Sequence, residues 1–173
     1  MDDLILEKAR KIKLLITDCD GVLTDTGTYY TVNGEEMKRF SIRDGMGVER
    51  LRKLCNIPTG IITGEDTEIV RKRGEKLKMT EIHLGIKDKP AVLEKICKRL
   101  DLQLDEIAYI GDDTNDVEAM KIVGLSACPN DATKFAKEVA DIIVEHNGGY
   151  GAVRDFAEIL IEANKNNKNE EEA

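Results

Sequence analysis

The sequence predicts an α/β domain, a Rossmann-like three-layer sandwich whose central sheet is mostly parallel. Short apolar runs alternate along the chain with helix-length amphipathic stretches, which is the pattern of repeated βαβ units. The chain has 173 residues, 41% of them hydrophobic, enough to build one core without disulfides. We therefore treat residues 1–163 as one domain and expect the polar, low-complexity stretch 164–173 to form a disordered tail.

Six apolar runs predict the strands of this sheet: 14–17, 59–63, 81–84, 107–111, 125–128 and 141–144. Six amphipathic stretches predict the helices between and after them: 46–55, 67–77, 91–100, 116–123, 133–139 and 152–163. Pro90 supports the start of the third of these helices, because a proline in the first turn loses no intrahelical hydrogen bond.

One segment, 27–40, breaks the alternation and predicts a projecting β-hairpin. It carries β-forming residues on both sides of Asn33 and Gly34, a dipeptide that tolerates the backbone conformation of a tight hairpin turn. Ligands of open α/β sheets bind beyond the carboxyl ends of the strands. Because the hairpin leaves the chain just after the first strand, we expect it to stand beside that site.

Composition disfavours several classes of partner. The chain has 34 acidic and 26 basic residues and a formal net charge of −8, whereas nucleic acids and anionic membranes are bound by clustered lysine and arginine. We expect neither of these partners. The four cysteines are scattered singly and predict neither a zinc site nor a disulfide framework. No apolar segment has the length of a signal sequence or a membrane span, so we expect a cytoplasmic protein.

Polar residues follow the first two predicted strands, where a ligand crevice is expected. Asp18 and Asp20 lie two residues apart and precede Gly21, although an ordinary aspartate-rich turn gives the same pattern. The second strand ends in Thr63 and Gly64. These supply a hydroxyl and a backbone that a ligand can approach, or simply the cap of the next helix.

An acidic cluster follows the fourth strand at Asp112, Asp113 and Asp116. Such acids repel one another unless a cation lies between them, and hard oxygen ligands suit Mg²⁺. A helix cap explains Asp113 and Asp116, but not why Asp112 converges with the carboxylates of the first strand. Lys89, after the third strand, means little alone because lysines at loop ends are usually solvated. Together the four signals predict a metal-assisted phosphoryl site.

In order and spacing, these signals resemble the four motifs of the haloacid dehalogenase superfamily of phosphatases: DCDG, ITG, Lys89 and GDDTND. The resemblance covers nearly the whole chain and implies the fold of that superfamily and a Mg²⁺-dependent phosphatase. By position, Asp18 would be the nucleophile that forms an aspartyl phosphate. Asp20 would be the general acid and base, with its backbone carbonyl on the metal.

The resemblance also assigns the remaining site residues. Asp18 and Asp112 would hold Mg²⁺, which neutralises charge so that a carboxylate can attack an anionic phosphoryl group. Asp113 and Asp116 would orient Lys89 or metal-bound water. The groups expected to hold the transferring oxygens are side chains and backbone amides of Thr63, Lys89, Asp20 and Gly21.

The spacing between the motifs leaves no room for the cap domain that many members carry. Only 37 residues separate Asp25 from Thr63, and 25 separate Thr63 from Lys89. A capless site is open to water, so we expect a neighbouring subunit to close it. Segments 18–27, 41–47 and 148–154 and the hairpin resemble the small capless tetrameric group. That likeness implies a homotetramer built by hairpins, in which the glycine loop 148–151 helps to close a neighbouring site.

Members of this capless group hydrolyse phosphates of 2-keto-3-deoxy sugar acids. The octulosonate enzymes have arginine directly after the ITG glycine, whereas this chain has Glu65 and there resembles the phosphatases of nine-carbon acid 9-phosphates. We therefore expect a nine-carbon acid 9-phosphate first and 3-deoxy-D-manno-octulosonate 8-phosphate second. Arg73 and Lys76 would pair with the substrate carboxylate, with Lys76 about three helical turns after Glu65 on a shared face.

Several alternatives stay open. Alternating charges such as those around Arg73 often form a solvated, self-paired helix face. Arg43, beside Asp44, either fixes a turn or faces the ligand. Asp155 stands where the group's loop has glutamate.

Two other protein classes compete with the phosphatase. A response-regulator receiver domain expects its phosphoacceptor after the third strand, but here Leu84 and Gly85 stand there. A noncatalytic oligomerisation module derived from a phosphatase, partnering a sugar-activating cytidylyltransferase, is the stronger rival. Such a module need not keep the self-repelling acidic cluster, and its retention favours an enzyme.

Overall fold

The computed structural model describes residues 2–171, with side chains described for residues 2–165. The strands within that range are β1 (Leu14–Thr17), β2 (Tyr29–Thr31), β3 (Gly34–Met37), β4 (Thr59–Ile62), β5 (Glu81–His83), β6 (Ile107–Ile110), β7 (Leu125–Cys128) and β8 (Ile142–Ile143). The α-helices there are α1 (Asp3–Lys11), α2 (Ile42–Cys55), α3 (Glu68–Lys76), α4 (Lys89–Leu100), α5 (Val117–Ile122), α6 (Lys134–Val139) and α7 (Ala152–Glu171).

Six strands form one parallel sheet in the order β5-β4-β1-β6-β7-β8. Strand β1 lies in its middle, where Leu15 pairs with Thr59 of β4 and Ile16 with Tyr109 of β6. Every residue of β1, β4, β6 and β7 is buried, as expected for strands covered by helices on both faces.

The two faces of the sheet carry separate apolar cores. Leu15 and Phe156 belong to the core beneath α1, α2, α3 and α7, whereas Leu14 and Leu93 belong to the core beneath α4, α5 and α6. Side chains of a strand alternate between faces, so β1 contributes to both cores. The predicted three-layer α/β sandwich is confirmed.

The helices differ from the predictions near the start of the chain. Helix α1, which the sequence reasoning does not predict, is capped by Asp2 and buries Ala9. Helix α2 begins at Ile42 rather than at residue 46, because the hydroxyl of Ser41 accepts hydrogen bonds from the backbone N–H groups of Arg43 and Asp44. At the other end, residues 166–173 lack described side chains, and the predicted disordered tail at 164–173 stays a prediction.

The predicted hairpin is confirmed as the two-stranded antiparallel sheet β2-β3, separate from the main sheet. Its apolar side chains are turned to solvent: Tyr30 is 73% exposed, Met37 is 60% exposed and Val32 is fully exposed. None of the helices in residues 2–171 is long and apolar enough to cross a membrane.

Candidate active site

The polar residues predicted to form the site meet at the carboxyl edge of the sheet. Asp18 follows β1, and Thr63 and Asp112 lie beyond the ends of its neighbours β4 and β6. They border an open cleft of about 300 Å³. Its lining residues are Asp18, Asp20, Gly21, Thr26, Thr63, Gly64, Glu65, Asp112, Asp113 and Asn115.

Lys89 is the buried cation of this edge. It is the first residue of α4 and is only 1% exposed. Its Nζ lies 2.9 Å from Asp18 Oδ1 and 2.6 Å from Asp116 Oδ1. The contact with Asp18 is an ion pair without hydrogen-bond geometry, so the buried Oδ1 of Asp18 accepts no hydrogen bond. The position of Lys89 fits the predicted role of holding phosphoryl oxygens beside the nucleophile.

Asp116 is the anchor of the acidic loop. Its Oδ1 accepts hydrogen bonds from Lys89 Nζ and from the hydroxyl of Tyr109, each at 2.6 Å. Its Oδ2 accepts from the backbone N–H groups of Asp112, at 3.0 Å, and Asp113, at 3.4 Å. Because this carboxylate already has four donors, Asp18 and Asp112 are the carboxylates better placed to accept a cation.

The turn after β1 brings the two acidic loops together. Gly21 has φ of +82°, and a Cβ on it would collide with the carboxylate of Asp112. Glycine therefore serves both the turn and the close approach.

The carboxylates of this edge carry more negative charge than Lys89 neutralises. Burial, together with the charges of Asp18, Asp116 and Asp113, raises the pKa of Asp112 to about 8. Burial and the charge of Asp116 raise the pKa of Asp18 despite Lys89. Burial alone would lower the pKa of Lys89, but the charges of Asp18 and Asp116 raise it. All three pKa values are raised, which is the result expected from an excess of buried negative charge.

The same residues fit a divalent metal ion. Asp18, Asp112 and Asp116 each place one carboxylate oxygen within 4.8 Å of the others. The set is all oxygen, it includes the buried Asp18 Oδ1 that lacks a hydrogen bond, and it is short of positive charge. Those are the properties that suit Mg²⁺. Asp20 does not belong to this carboxylate group, and its predicted contribution through the backbone carbonyl stays a prediction.

Asp20 instead has its side chain turned towards the base of the hairpin. Its Oδ1 accepts a hydrogen bond from Lys38 Nζ at 2.6 Å and another from the hydroxyl of Thr24 at 3.3 Å. Lys38 also pairs with Glu35 at 2.9 Å. Burial alone would lower the pKa of Lys38, but the hydrogen bonds and charges of Asp20 and Glu35 raise it above its ordinary value.

Of the charged residues predicted to select the substrate, only Glu65 lines the cleft beside Asp18. Glu65 precedes α3, whose cap is Thr67, so the helix face predicted for Glu65 and Lys76 does not exist. Arg73 donates a hydrogen bond to the carbonyl oxygen of Ser41 at 2.8 Å and lies over Phe40.

Lys76 and Arg43 are exposed, and neither they nor Arg73 line the cleft beside Asp18 in this single chain. Their roles towards substrate stay predictions.

The glycine loop 148–151 packs against the loop that follows β1. The N–H of Gly149 donates to the carbonyl of Val22 at 2.9 Å, and the carbonyl of Gly149 accepts from Arg39 at 2.9 Å. The buried Asp44 accepts from the backbone N–H of Arg154 at 3.0 Å. The segments 41–47 and 148–154, singled out in the sequence, are therefore joined to each other and to the site.

Sequence reasoning missed four residues of the site. Tyr109 and Lys38 contact its carboxylates, and Thr26 and Asn115 line the cleft. Tyr109 could have been suspected, because a hydroxyl in a fully buried strand needs a partner. The sequence carries no comparable signal for Lys38, since a lysine in a hairpin is ordinarily solvated.

Fold and site together define an enzyme of the phosphoryl-transfer class: a parallel sheet whose carboxyl edge gathers aspartates, a threonine and a lysine. Comparison with known proteins agrees. The model of the haloacid dehalogenase-like hydrolase family matches residues 53–156. The 3-deoxy-D-manno-octulosonate 8-phosphate phosphatase of Escherichia coli K12 is 37% identical over 157 residues, covering 91% of this chain and 83% of that protein.

Solved structures show the same likeness. The corresponding phosphatase of Moraxella catarrhalis, in complex with magnesium, phosphate and a KDO molecule, has a TM-score of 0.91 at 34% identity and covers 98% of this chain and 97% of its own. The cobalt-bound enzyme of Haemophilus influenzae has a TM-score of 0.88 at 34% identity, over 91% of this chain and 92% of that one. The chain belongs to the haloacid dehalogenase-like hydrolase family, and it is a phosphatase.

Proposed function

We propose that the protein is a Mg²⁺-dependent phosphatase of a 2-keto-3-deoxy sugar acid phosphate and acts through an aspartyl phosphate on Asp18. The observation that carries the proposal is the set of contacts around Lys89. It contacts a buried carboxylate, Asp18, in the wall of a polar cleft that Asp112 also lines. Burial and neighbouring negative charges raise the pKa of Asp112. A noncatalytic module would not need such a costly arrangement of buried charge.

In the first half of the reaction, a carboxylate oxygen of Asp18 attacks the phosphorus. The bond between phosphorus and the ester oxygen breaks, and Asp20 gives its proton to the departing sugar oxygen. In the second half, Asp20 takes a proton from the water that attacks the same phosphorus. The phosphorus–oxygen bond to Asp18 then breaks, and inorganic phosphate leaves.

The surrounding groups stabilise charge on the transferring phosphoryl group. Lys89 lies beside Asp18, and the Thr63 hydroxyl lies at the tip of the neighbouring strand. With the backbone N–H groups after Asp18, they form a fixed set of donors. A Mg²⁺ ion on Asp18 and Asp112 would supply the remaining positive charge.

The substrate class rests on the relatives and on Glu65. The curated relatives are named for the eight-carbon acid 8-phosphate. Glu65 in the cleft wall offers a carboxylate that accepts hydrogen bonds from sugar hydroxyls, and it supports the nine-carbon acid 9-phosphate. The nine-carbon acid is the preferred substrate in this proposal, and the eight-carbon acid is the second candidate.

The proposal includes a homotetramer in which a neighbouring subunit closes the site. The cleft is open in the single chain, and the hairpin exposes apolar side chains such as Tyr30 and Val32 that a second copy would cover. The buried thiols of Cys19, Cys97 and Cys128 fit a cytoplasmic enzyme. Sedimentation of the purified protein tests the tetramer, and a monomer that is fully active would overturn subunit closure.

Phosphate release tests the activity directly. The purified protein is assayed with the nine-carbon 9-phosphate, the octulosonate 8-phosphate and glucose 6-phosphate, each with Mg²⁺ and with EDTA. We expect turnover of the two keto acids that requires Mg²⁺ and exceeds turnover of the hexose phosphate. Equal rates on all three substrates would contradict the substrate class, and full activity in EDTA would contradict the metal.

A charge reversal at Glu65 tests the choice between the two acids. Glu65→Arg should move the ratio of the two kcat/KM values towards the octulosonate phosphate by about tenfold, because one hydrogen-bonding group is exchanged for a cation. Glu68→Arg makes the same charge change just outside the cleft and is the control. An unchanged ratio in Glu65→Arg would remove Glu65 from the choice of substrate.

A further inference from the structure

Lys38 occupies an unusual position for a lysine in a hairpin. Its side chain is only 2% exposed, whereas lysines in the surface ion pairs of this chain, such as Lys53, are well exposed, at 65%. The ammonium group lies between the carboxylates of Asp20 and Glu35, at 2.6 and 2.9 Å. It links the hairpin directly to the aspartate that the proposed function makes the general acid and base.

We propose that Lys38 is a positioning residue that holds the Asp20 carboxyl group in its reactive orientation. This inference rests on the proposed function, in which Asp20 moves the proton in both half-reactions. It extends that function by placing part of the catalytic geometry on the hairpin, which lies outside the four motifs.

The geometry shows how Lys38 acts on Asp20. The hydrogen bonds from Lys38 Nζ and the Thr24 hydroxyl both fall on Oδ1 of Asp20. The Thr24 hydroxyl has one proton and lies equally close to the carbonyl oxygen of Cys19, at 3.3 Å, so Lys38 at 2.6 Å is the stronger donor to this oxygen. The hydrogen bond from Lys38 restrains the rotation of the carboxyl group and leaves Oδ2 for the proton transfer. Without Lys38, Oδ1 of Asp20 would face the Thr24 hydroxyl at 3.3 Å, a donor that it shares with the carbonyl of Cys19, and the carboxyl group would sample other orientations. A loss of fixed geometry at an acid or base reduces the rate of proton transfer.

A simple structural role for Lys38 leads to different expectations. If the lysine only tied down the hairpin, its loss would act on folding or assembly, and its two carboxylate partners would matter equally. Burying an ammonium group is costly, and an apolar residue could fasten the hairpin without that cost. A charge placed against the acid and base of the reaction is therefore better explained by an effect on Asp20.

The test is a double-mutant cycle of Lys38→Met and Asp20→Asn, assayed with Mg²⁺ on whichever of the two keto acid phosphates the wild type hydrolyses faster. We expect Lys38→Met to lower kcat by about 10- to 100-fold with KM changed less than about threefold. The double variant should be no slower than Asp20→Asn, because Lys38 acts through Asp20. Lys38→Arg should restore most of the rate, and Lys53→Met should match the wild type.

Glu35→Gln separates the two roles if Lys38→Met folds poorly. It removes one partner of Lys38 and keeps the contact with Asp20, so we expect it to lower kcat less than about threefold. The positioning role would be overturned if the kcat losses of the two single variants multiplied in the double variant, or if Glu35→Gln and Lys38→Met lost equal kcat. The proposed function would still stand in that case, provided that the wild type is active. A wild type inactive on both acids would overturn the two together.

Discussion

The two ends of the parallel sheet both have charged cavities, and they differ in how the charges are compensated. The cavity at the amino end is the larger, about 680 Å³ against about 300 Å³ for the cleft at the carboxyl end. At the amino end, the exposed Lys13 pairs with Glu106 at 2.5 Å, and its hydrogen bond lowers the pKa of Glu106. At the carboxyl end, burial and like charges raise the pKa of Asp112 to about 8.

This difference shows what distinguishes a reactive site from a charged surface. Pairs such as Lys13 and Glu106 satisfy one another in water and add little to stability. Asp18 and Asp112 are short of positive charge, and in the proposed function a metal ion would supply it. Unmet charge, rather than the size of a cavity, marks the functional end of this sheet.

The largest effect is expected from substituting Asp18, at the carboxyl end of the sheet, rather than a carboxylate at the amino end. Asp18→Asn should reduce phosphate release by at least about 10⁴-fold, because the amide cannot form the acyl phosphate. Glu106→Gln removes a carboxylate from the amino end and should keep the wild-type rate. Thermal unfolding of both proteins checks that the fold is intact. A purified Asp18→Asn protein that retains turnover would refute the nucleophile.

A smaller effect is expected from Asp112, which is assigned to the metal rather than to bond making. Asp112→Asn should raise the Mg²⁺ concentration for half-maximal activity at least about tenfold, since a neutral amide is a weaker ligand. Asp105→Asn, in the amino-end cavity, is the matched control. The measurement is a Mg²⁺ titration of the initial rate. An Asp112→Asn protein with the wild-type Mg²⁺ requirement would separate Asp112 from the metal site.

Asp44 can be compared with the aspartates of the cleft, because it is also a buried carboxylate but lies away from the cleft. Burial raises its pKa to about 6 from the ordinary 3.8, against hydrogen bonds from the backbone of Arg154, Val153 and Gly151. A raised pKa means that the folded state holds the proton more tightly. The stability contributed by this proton is therefore present below about pH 4 and is lost as the pH rises through 6.

Asp44→Asn should not show that loss, because the amide never ionises and its oxygen still accepts hydrogen bonds from α7. Relative to the wild type, its free energy of unfolding should rise by up to about 3 kcal/mol between pH 4 and pH 7. Asp44→Ala should cost about 1 to 3 kcal/mol, because it leaves the N–H groups of α7 unpaired. Urea unfolding at both pH values measures these effects. Parallel pH profiles for Asp44→Asn and wild type would show that Asp44 does not titrate this way.

Local sequence patterns predict the sheet and the placement of the acidic residues well. Asp18 and Asp112 could be placed together because parallel strands end at one edge and β1 lies beside β6. The contacts of Lys38 and Arg73 could not be predicted, because they depend on how a hairpin and a helix pack against distant segments. The prediction that Glu65 and Lys76 share a helix face is wrong, because the helix is capped by Thr67 and begins after Glu65.

The most direct test of the central claim is detection of the phosphoryl group on Asp18. Asp20→Asn, which slows hydrolysis of the intermediate, is mixed with the preferred substrate and Mg²⁺, quenched in acid and digested for mass spectrometry. The account predicts that the peptide containing Asp18 gains one phosphoryl group, and that Asp18→Asn/Asp20→Asn shows no gain. Phosphate release by an enzyme whose Asp18 peptide is never phosphorylated would contradict it.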